Sequence, residues 1–121
     1  MMLRLIPTLK DYIWGGCKLK SLYGREGGEK ISESWEVSVH PDGPSKLENG
    51  GTLAQYLQGR PEAVSPKGGE LPVLIKYIDA ADTLSVQVHP CDEYARKYEN
   101  DNGKTEMWYI VQADEGAGIY C

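Results

Sequence analysis

Three side chains that can bind a divalent metal ion lie in two short runs with strand-like alternation, residues 84–89 and 104–109. Gln87 and His89 lie in the first run, and Glu106 lies in the second. An amide oxygen, an imidazole nitrogen and a carboxylate together suit zinc, or a similar divalent ion, in a site that stays open to substrate. The spacing alone leaves a second interpretation open, because a histidine and a glutamate on neighbouring strands are more often a surface pair than metal ligands.

The same alternation decides which neighbours share a face with these ligands. Successive side chains of a strand point to opposite faces, so Ser85 lies on the ligand face of the first run. Lys104 and Trp108 lie on the face of Glu106 in the second run. A plain two-layer sheet would leave this polar face in water, whereas a small barrel or sandwich would turn it inward around a cavity.

The rest of the pattern predicts short strands, short helices and turns. Strands are expected at residues 3–9, 31–39 and 71–78, and short helices at residues 52–58 and 91–98. Pro7 favours an edge position for the first strand, because proline cannot donate to a strand ladder. Thr52 is expected to cap the start of its helix and Gly59 to end it.

Two further residues need an explanation from their surroundings. Lys76 lies in an otherwise apolar run, residues 71–78, which predicts a strand buried on both faces. A buried lysine requires an anion or a functional role to offset its desolvation, unless its amine reaches solvent at the strand end. His40, in the turn-forming sequence HPDGP, is expected to hydrogen-bond nearby backbone.

Length, charge and cysteine content limit the classes of protein to consider. The 121 residues predict one domain, residues 1–121, and the net charge of −5 argues against a nucleic-acid or general membrane binder. No apolar run approaches the length that spans a bilayer, and the first residues lack the features of a signal peptide. The three cysteines are widely spaced and form no CxxC pair, which argues against a disulfide framework and favours the cytoplasm.

Five segments carry a resemblance to a known family. They read YIWGG, ESWEVSVHPDGPS, LPVLIKYID, LSVQVHP and GKTEMWY, in this order, and cover essentially the whole chain. In this combination the chain resembles type I mannose-6-phosphate isomerase, most closely the bacterial short form. The resemblance implies a mainly β, cupin-type jelly-roll barrel or sandwich with short helical inserts. It also implies a zinc enzyme whose metal ligands match Gln87, His89 and Glu106.

The resemblance implies roles for further residues in the isomerisation of mannose 6-phosphate and fructose 6-phosphate. Lys76 matches a lysine that faces the phosphate end of the substrate, and Ser85 is a second candidate for that end. Lys104 could stabilise negative charge that develops on oxygen, as the catalytic candidate. A tryptophan of the family lines the sugar cleft at the position of Trp14, and Glu33 matches a glutamate near the active site.

The resemblance also implies that groups of the complete enzyme are missing. The family has a fourth zinc ligand, a histidine, and an assisting arginine downstream of the second run, and no histidine follows His89. We therefore expect a truncated, N-terminal part of the enzyme, which binds zinc weakly, associates with itself through uncovered strand edges and shows little isomerase activity. The alternative is a non-catalytic, cupin-like regulatory module that binds a sugar phosphate or a metal. A cupin oxygenase is disfavoured, because its site needs two histidines and His40 is remote in sequence.

Overall fold

The computed structural model describes residues 2–64 and 69–120. The chain divides into two compact units, Met1–Leu84 and Ser85–Cys121. The first unit contains strands β1 (Leu5–Ile6), β2 (Thr8–Lys10), β3 (Glu33–Val37), β4 (Lys46–Leu47) and β5 (Ile75–Ile78), helices α1 (Lys18–Ser21) and α2 (Leu53–Gln58), and a 3₁₀ turn (Pro61–Ala63). The second unit contains helix α3 (Asp92–Tyr98). In the part of the chain that the structure describes, no helix has the length and apolar character needed to cross a bilayer.

Pro7 divides the predicted first strand into two. Before it, β1 pairs with β4 in a two-stranded antiparallel sheet. After it, β2 pairs with β3 and forms one edge of a three-stranded antiparallel sheet of order β2-β3-β5. The predicted single strand was therefore wrong in extent, because proline removes a backbone donor at the point where the chain changes sheets.

The register of the three-stranded sheet brings together three polar side chains from distant parts of the sequence. Glu33 and Trp35 are two residues apart on β3 and so share a face. Lys76 of β5 is paired directly with Trp35, and directly paired residues point to the same face. This face therefore carries a charged cluster that contains Glu33 and Lys76.

Ser45 stabilises an irregularity in the middle of β3. The pairing with β5 shifts between Trp35 and Val37, which leaves backbone groups without a ladder partner. The Ser45 hydroxyl accepts a hydrogen bond from the Ser38 N–H at 2.9 Å and donates to the Glu36 carbonyl at 3.0 Å. Ser45 and Ser38 are fully buried, so these bonds satisfy backbone groups that water does not reach.

The predicted helix at residues 52–58 is confirmed as α2, including both of its ends. The Thr52 hydroxyl accepts from the Gln55 N–H, and the Gln55 side chain accepts from the Thr52 N–H, which together form a capping box. Gly59 ends the helix. Leu53 turns inward and joins Leu19, Ile31 and Leu47 in the small apolar core of the first unit.

The predicted strand at residues 71–78 forms only over Ile75–Ile78, and it is not buried on both faces. Val73 and Ile75 are 50% and 54% exposed. β5 is the outer strand of its sheet, so one side of its backbone ladder has no partner among the strands that the structure describes. Burial was predicted from the apolar composition of this segment, but no described element packs over Val73 and Ile75.

In the second unit, the predicted helix at residues 91–98 is confirmed as α3, with Cys91 at its N-cap and Asp92 and Glu93 in its first turn. The two flanking runs, predicted as strands, are not paired in a sheet. Among the described residues, the nearest backbone hydrogen bond runs from the Lys104 N–H to the Pro90 carbonyl, just after the first run, at 3.2 Å. A single bond does not make a ladder, so the prediction of strands was wrong for residues 84–89 and 104–109. Residues 119 and 120 are likewise not in a strand, and Cys121 lies outside the described residues.

Candidate metal centre

Glu106 is the centre of a polar cluster in the second unit. Its Oε2 lies 3.0 Å from His89 Nε2 and forms an ion pair with the Lys104 ammonium. Its Oε1 accepts a hydrogen bond from the indole N–H of Trp108 at 2.5 Å. The side chain of Glu106 is 16% exposed, whereas that of Lys104 is 47% exposed. We call these four residues the Glu106 cluster.

The cluster holds Glu106 as a carboxylate. Burial on its own would raise the pKa of Glu106, since it disfavours the charged form. The hydrogen bond and charge of Lys104, the Trp108 N–H and the charge of His89 outweigh burial, so the pKa lies below its ordinary value. A carboxylate that is ionised at neutral pH is the form that binds a metal ion.

The two oxygens of Glu106 differ in their partners. Oε1 accepts from the neutral indole N–H of Trp108, whereas Oε2 is buried, lies against the Lys104 ammonium and has His89 Nε2 beside it. An ion at Oε2 would therefore have to displace the Lys104 ammonium, whose side chain is 47% exposed. The separation of His89 Nε2 and Glu106 Oε2 fits a shared ion, because two atoms that each lie ~2.0–2.2 Å from one ion are ~3 Å apart or slightly more.

The structure brings together two of the three predicted ligands. Gln87 is exposed and makes no hydrogen bond with any residue that the structure describes. Within residues 2–64 and 69–120, no three histidine, cysteine, aspartate or glutamate side chains converge on one point. His89 and Glu106 thus form a pair, and a site with all three predicted ligands would require the Gln87 amide to join them.

A second cluster, which also joins a glutamate, a lysine and a tryptophan but has no histidine among its described contacts, lies in the first unit. Glu33 is 4% exposed, and its Oε1 lies 2.8 Å from the Lys76 ammonium. Its Oε2 accepts from the indole N–H of Trp35 at 2.7 Å. The anion that compensates the half-buried Lys76 is therefore Glu33. We call these three residues the Glu33 cluster.

The other predicted site residues lie in ordinary surroundings. Trp14 is half-buried and stacks on Tyr12, with ring centroids 5.6 Å apart. Ser85 is exposed in the second unit. The prediction for His40 is confirmed, since its Nδ1 accepts from the Asp42 N–H within the turn at 3.2 Å. An apolar groove between β1, α2 and the 3₁₀ turn contains none of the predicted site residues.

Sequence reasoning missed the two indole donors. Trp35 was given no role in the site, and Trp108 was placed on the ligand face without a partner. A signal was present, because each tryptophan follows a glutamate by two positions, in ESW and in EMW. Two residues at that spacing in extended chain share a face, so the indole N–H can reach the carboxylate.

Comparison with known proteins decides the family. The sequence pattern of the family described as phosphomannose isomerase type I, catalytic domain, matches residues 2–120. The chain belongs to this family. The membership predicted from the five segments is thereby confirmed.

Two bacterial relatives show how much of a phosphomannose isomerase the chain represents. A probable mannose-6-phosphate isomerase of Bacillus subtilis (strain 168) is 43% identical, over 95% of this chain and 39% of the relative. A mannose-6-phosphate isomerase of Streptococcus mutans is 42% identical, over 88% of this chain and 36% of the relative. The chain therefore spans less than half the length of these relatives.

Solved structures of phosphomannose isomerases share the fold. The crystal structure of mannose 6-phosphate isomerase from Bacillus subtilis matches with a TM-score of 0.86 and 36% identity, over 95% of this chain and 39% of that chain. A mannose 6-phosphate isomerase bound with zinc and yttrium matches with a TM-score of 0.68 and 32% identity, over 82% of this chain and 28% of that chain. The predicted fold class is thus confirmed at the level of a mainly β chain with few helices.

Proposed function

We propose that this chain provides metal-binding and substrate-binding residues of a mannose-6-phosphate isomerase, which interconverts mannose 6-phosphate and fructose 6-phosphate. The observation that carries the proposal is the pair formed by His89 Nε2 and Glu106 Oε2, 3.0 Å apart beside a lysine. We assign Gln87, His89 and Glu106 as zinc ligands within a cupin-type jelly roll. The relative bound with zinc supports the choice of metal.

Aldose–ketose isomerisation moves a proton between adjacent sugar carbons and passes through an enediol or enediolate. Zinc, when bound, would hold and polarise the substrate oxygens as a Lewis acid. Lys104 is 47% exposed, so its ammonium can leave the Glu106 carboxylate and donate to an oxygen on which negative charge develops. We assign Lys104 this catalytic role.

Binding of the phosphate is assigned to the Lys76 ammonium and the Ser85 hydroxyl. The hydrogen bond to Glu33 uses one of the three ammonium hydrogens of Lys76, and the other two can bind phosphate oxygens. Glu33 then acts by holding the ammonium in place rather than by touching the sugar phosphate. Trp14 presents a half-buried aromatic face of the kind that packs against a sugar ring.

A chimera tests this function with a complete set of catalytic residues. The matching part of the Bacillus subtilis relative is replaced by this chain, and turnover of mannose 6-phosphate is measured with zinc. We expect an active chimera in which His89→Asn lowers kcat/KM by more than about 100-fold, because loss of a ligand exceeds the usual effect of changing a ligand's neighbours.

The other histidine provides the matched control. His40→Asn changes a turn residue and should leave turnover close to that of the unmodified chimera. Full activity in the His89→Asn chimera would contradict the proposed function. A chimera that binds zinc and the sugar phosphate without turnover would favour the non-catalytic binding module.

A further inference from the structure

We propose that Trp108 is a positioning residue, which fixes the Glu106 carboxylate so that Oε2 alone faces the metal ion. This inference rests on the proposed function, because it assumes that Glu106 is a metal ligand. It assigns to Trp108 a hydrogen bond that determines which oxygen binds and from which direction.

The geometry of the carboxylate carries the inference. The Trp108 indole N–H donates to Oε1, while His89 Nε2 lies 3.0 Å from Oε2. A glutamate carboxylate rotates easily about its last torsion, and its two oxygens are otherwise equivalent. A donor on Oε1 removes this equivalence, so Oε2 stays beside the histidine nitrogen that would share the ion.

An indole N–H is suited to this task in a way that Lys104 is not. The indole carries a single donor on a rigid ring and no charge, so it holds Oε1 without repelling a cation at Oε2. The lysine has three donors on a flexible chain and can follow either oxygen as the carboxylate rotates. Without Trp108, the ammonium would therefore compete with the ion at both oxygens.

The Glu33 cluster shows the same indole bond in a setting that has no histidine beside the carboxylate among the described residues. Trp35 holds one oxygen of Glu33 at 2.7 Å, and Lys76 takes the other at 2.8 Å. Because Glu33 is 4% exposed and no metal-binding nitrogen is among its described contacts, the Trp35 bond serves the stability of the sheet. The Trp35–Glu33 bond is therefore an internal control, because it is an indole–carboxylate bond outside the proposed metal site.

The experiment titrates zinc into the full 121-residue chain, labelled with ¹⁵N, and follows the indole N–H resonances of its three tryptophans. The resonances are assigned with Trp14→Phe, Trp35→Phe and Trp108→Phe. In the unmodified chain we expect the Trp108 indole resonance to shift as zinc binds, while those of Trp14 and Trp35 stay in place. The same titration of the His89→Asn variant measures the zinc that binds at other sites.

Trp108→Phe keeps the aromatic ring and removes the donor. We expect it to raise the Kd for zinc about tenfold, the size typical of losing a hydrogen bond to a ligand, with only a small change in the thermal unfolding of the zinc-free chain. Trp35→Phe should leave the Kd unchanged and lower the unfolding temperature. A role for Trp108 in packing alone would predict the reverse.

The outcomes separate this inference from the proposed function. An equal Kd for the unmodified chain and Trp108→Phe, with zinc bound through His89, overturns the inference and leaves the proposed function standing. A titration that is the same for the unmodified chain and His89→Asn overturns both, since His89 is then not a ligand.

Discussion

The Glu33 and Glu106 clusters use the same three residue types and differ in what surrounds them. In each, a glutamate shares its carboxylate between the indole N–H of a tryptophan two residues later and a lysine ammonium. The lysine of the Glu33 cluster comes from a paired strand, and its side chain is 19% exposed. The lysine of the Glu106 cluster comes from the same run, is 47% exposed, and has a histidine beside it.

This difference separates a structural cluster from a reactive one. The carboxylate of Glu33 is satisfied on both oxygens, so it contributes order to the sheet and holds Lys76. The buried oxygen Oε2 of Glu106 is paired with an exposed lysine ammonium and lies next to a nitrogen that can bind the same ion. The glutamate, lysine and tryptophan alone do not distinguish the two clusters, whereas burial, the origin of the lysine and the neighbouring histidine do.

The largest expected effect on stability follows from opening the Glu33 cluster. Glu33→Ala leaves the Lys76 ammonium poorly compensated and should lower the free energy of unfolding by about 3 kcal/mol, as expected for a buried pair that loses one partner. Urea unfolding of the full chain measures this. The control is Glu48→Ala, which removes an exposed partner of Arg4 and should cost less than about 1 kcal/mol. Similar losses in the two variants would refute the structural role of the Glu33 cluster.

In the Glu106 cluster we expect a smaller effect, and one that strengthens zinc binding instead of weakening the fold. Lys104→Met removes the cation that occupies Oε2, so zinc should bind the chain about tenfold more tightly, the equivalent of roughly 1.4 kcal/mol of charge repulsion. In the chimera, the same variant should lose turnover because the developing oxyanion loses its donor. Lys97→Met, on the exposed part of α3, is the control for removing one positive charge. Weaker zinc binding by Lys104→Met would show that Lys104 supports the ligands instead.

The two tryptophan bonds should differ in their cost to folding. Trp35→Phe leaves an oxygen of the buried Glu33 without its donor, which costs about 1–3 kcal/mol of unfolding free energy. Trp108 is 45% exposed, so water can replace its N–H, and Trp108→Phe should cost less than about 0.5 kcal/mol. Thermal unfolding of both variants gives the comparison. A greater loss in Trp108→Phe would reverse the assignment of the two clusters.

The sequence predicted the elements whose determinants are local. The cap residues Thr52 and Gly59 specified α2, and two acidic residues in the first turn marked α3. The residue types and their alternation also brought His89 and Glu106 together as candidates. Each of these predictions depends on side chains within a few positions of one another.

Predictions that depended on partners elsewhere in the sequence were less successful. The runs at 84–89 and 104–109 have strand-like alternation, but a strand also requires a neighbour with free donors and acceptors. Burial of residues 71–78 was inferred from apolar composition, and no described element covers Ile75. The pairing of Glu33 with Lys76 follows from the register of β3 with β5, which no local pattern specifies.

The smallest expected effect concerns association of the chain with itself. Next to the Glu106 cluster, Val86 and Met107 are 97% and 90% exposed, and Val88 and Tyr109 are 84% exposed. Bare apolar side chains of this kind favour association. We expect sedimentation velocity to detect oligomers that Val88→Lys with Met107→Lys reduces. Ile13→Lys, at an exposed apolar residue of the first unit, is the control. A monomer at all concentrations would refute the prediction.

X-ray absorption at the zinc edge of the zinc-loaded chain tests most directly whether His89 and Glu106 bind one ion. We predict a shell of nitrogen and oxygen at about 2.0–2.2 Å with the outer scattering of an imidazole ring. His89→Asn should remove the imidazole scattering, whereas His40→Asn should keep it. A sulfur shell at about 2.3 Å, or a spectrum that His89→Asn leaves unchanged, would contradict the account.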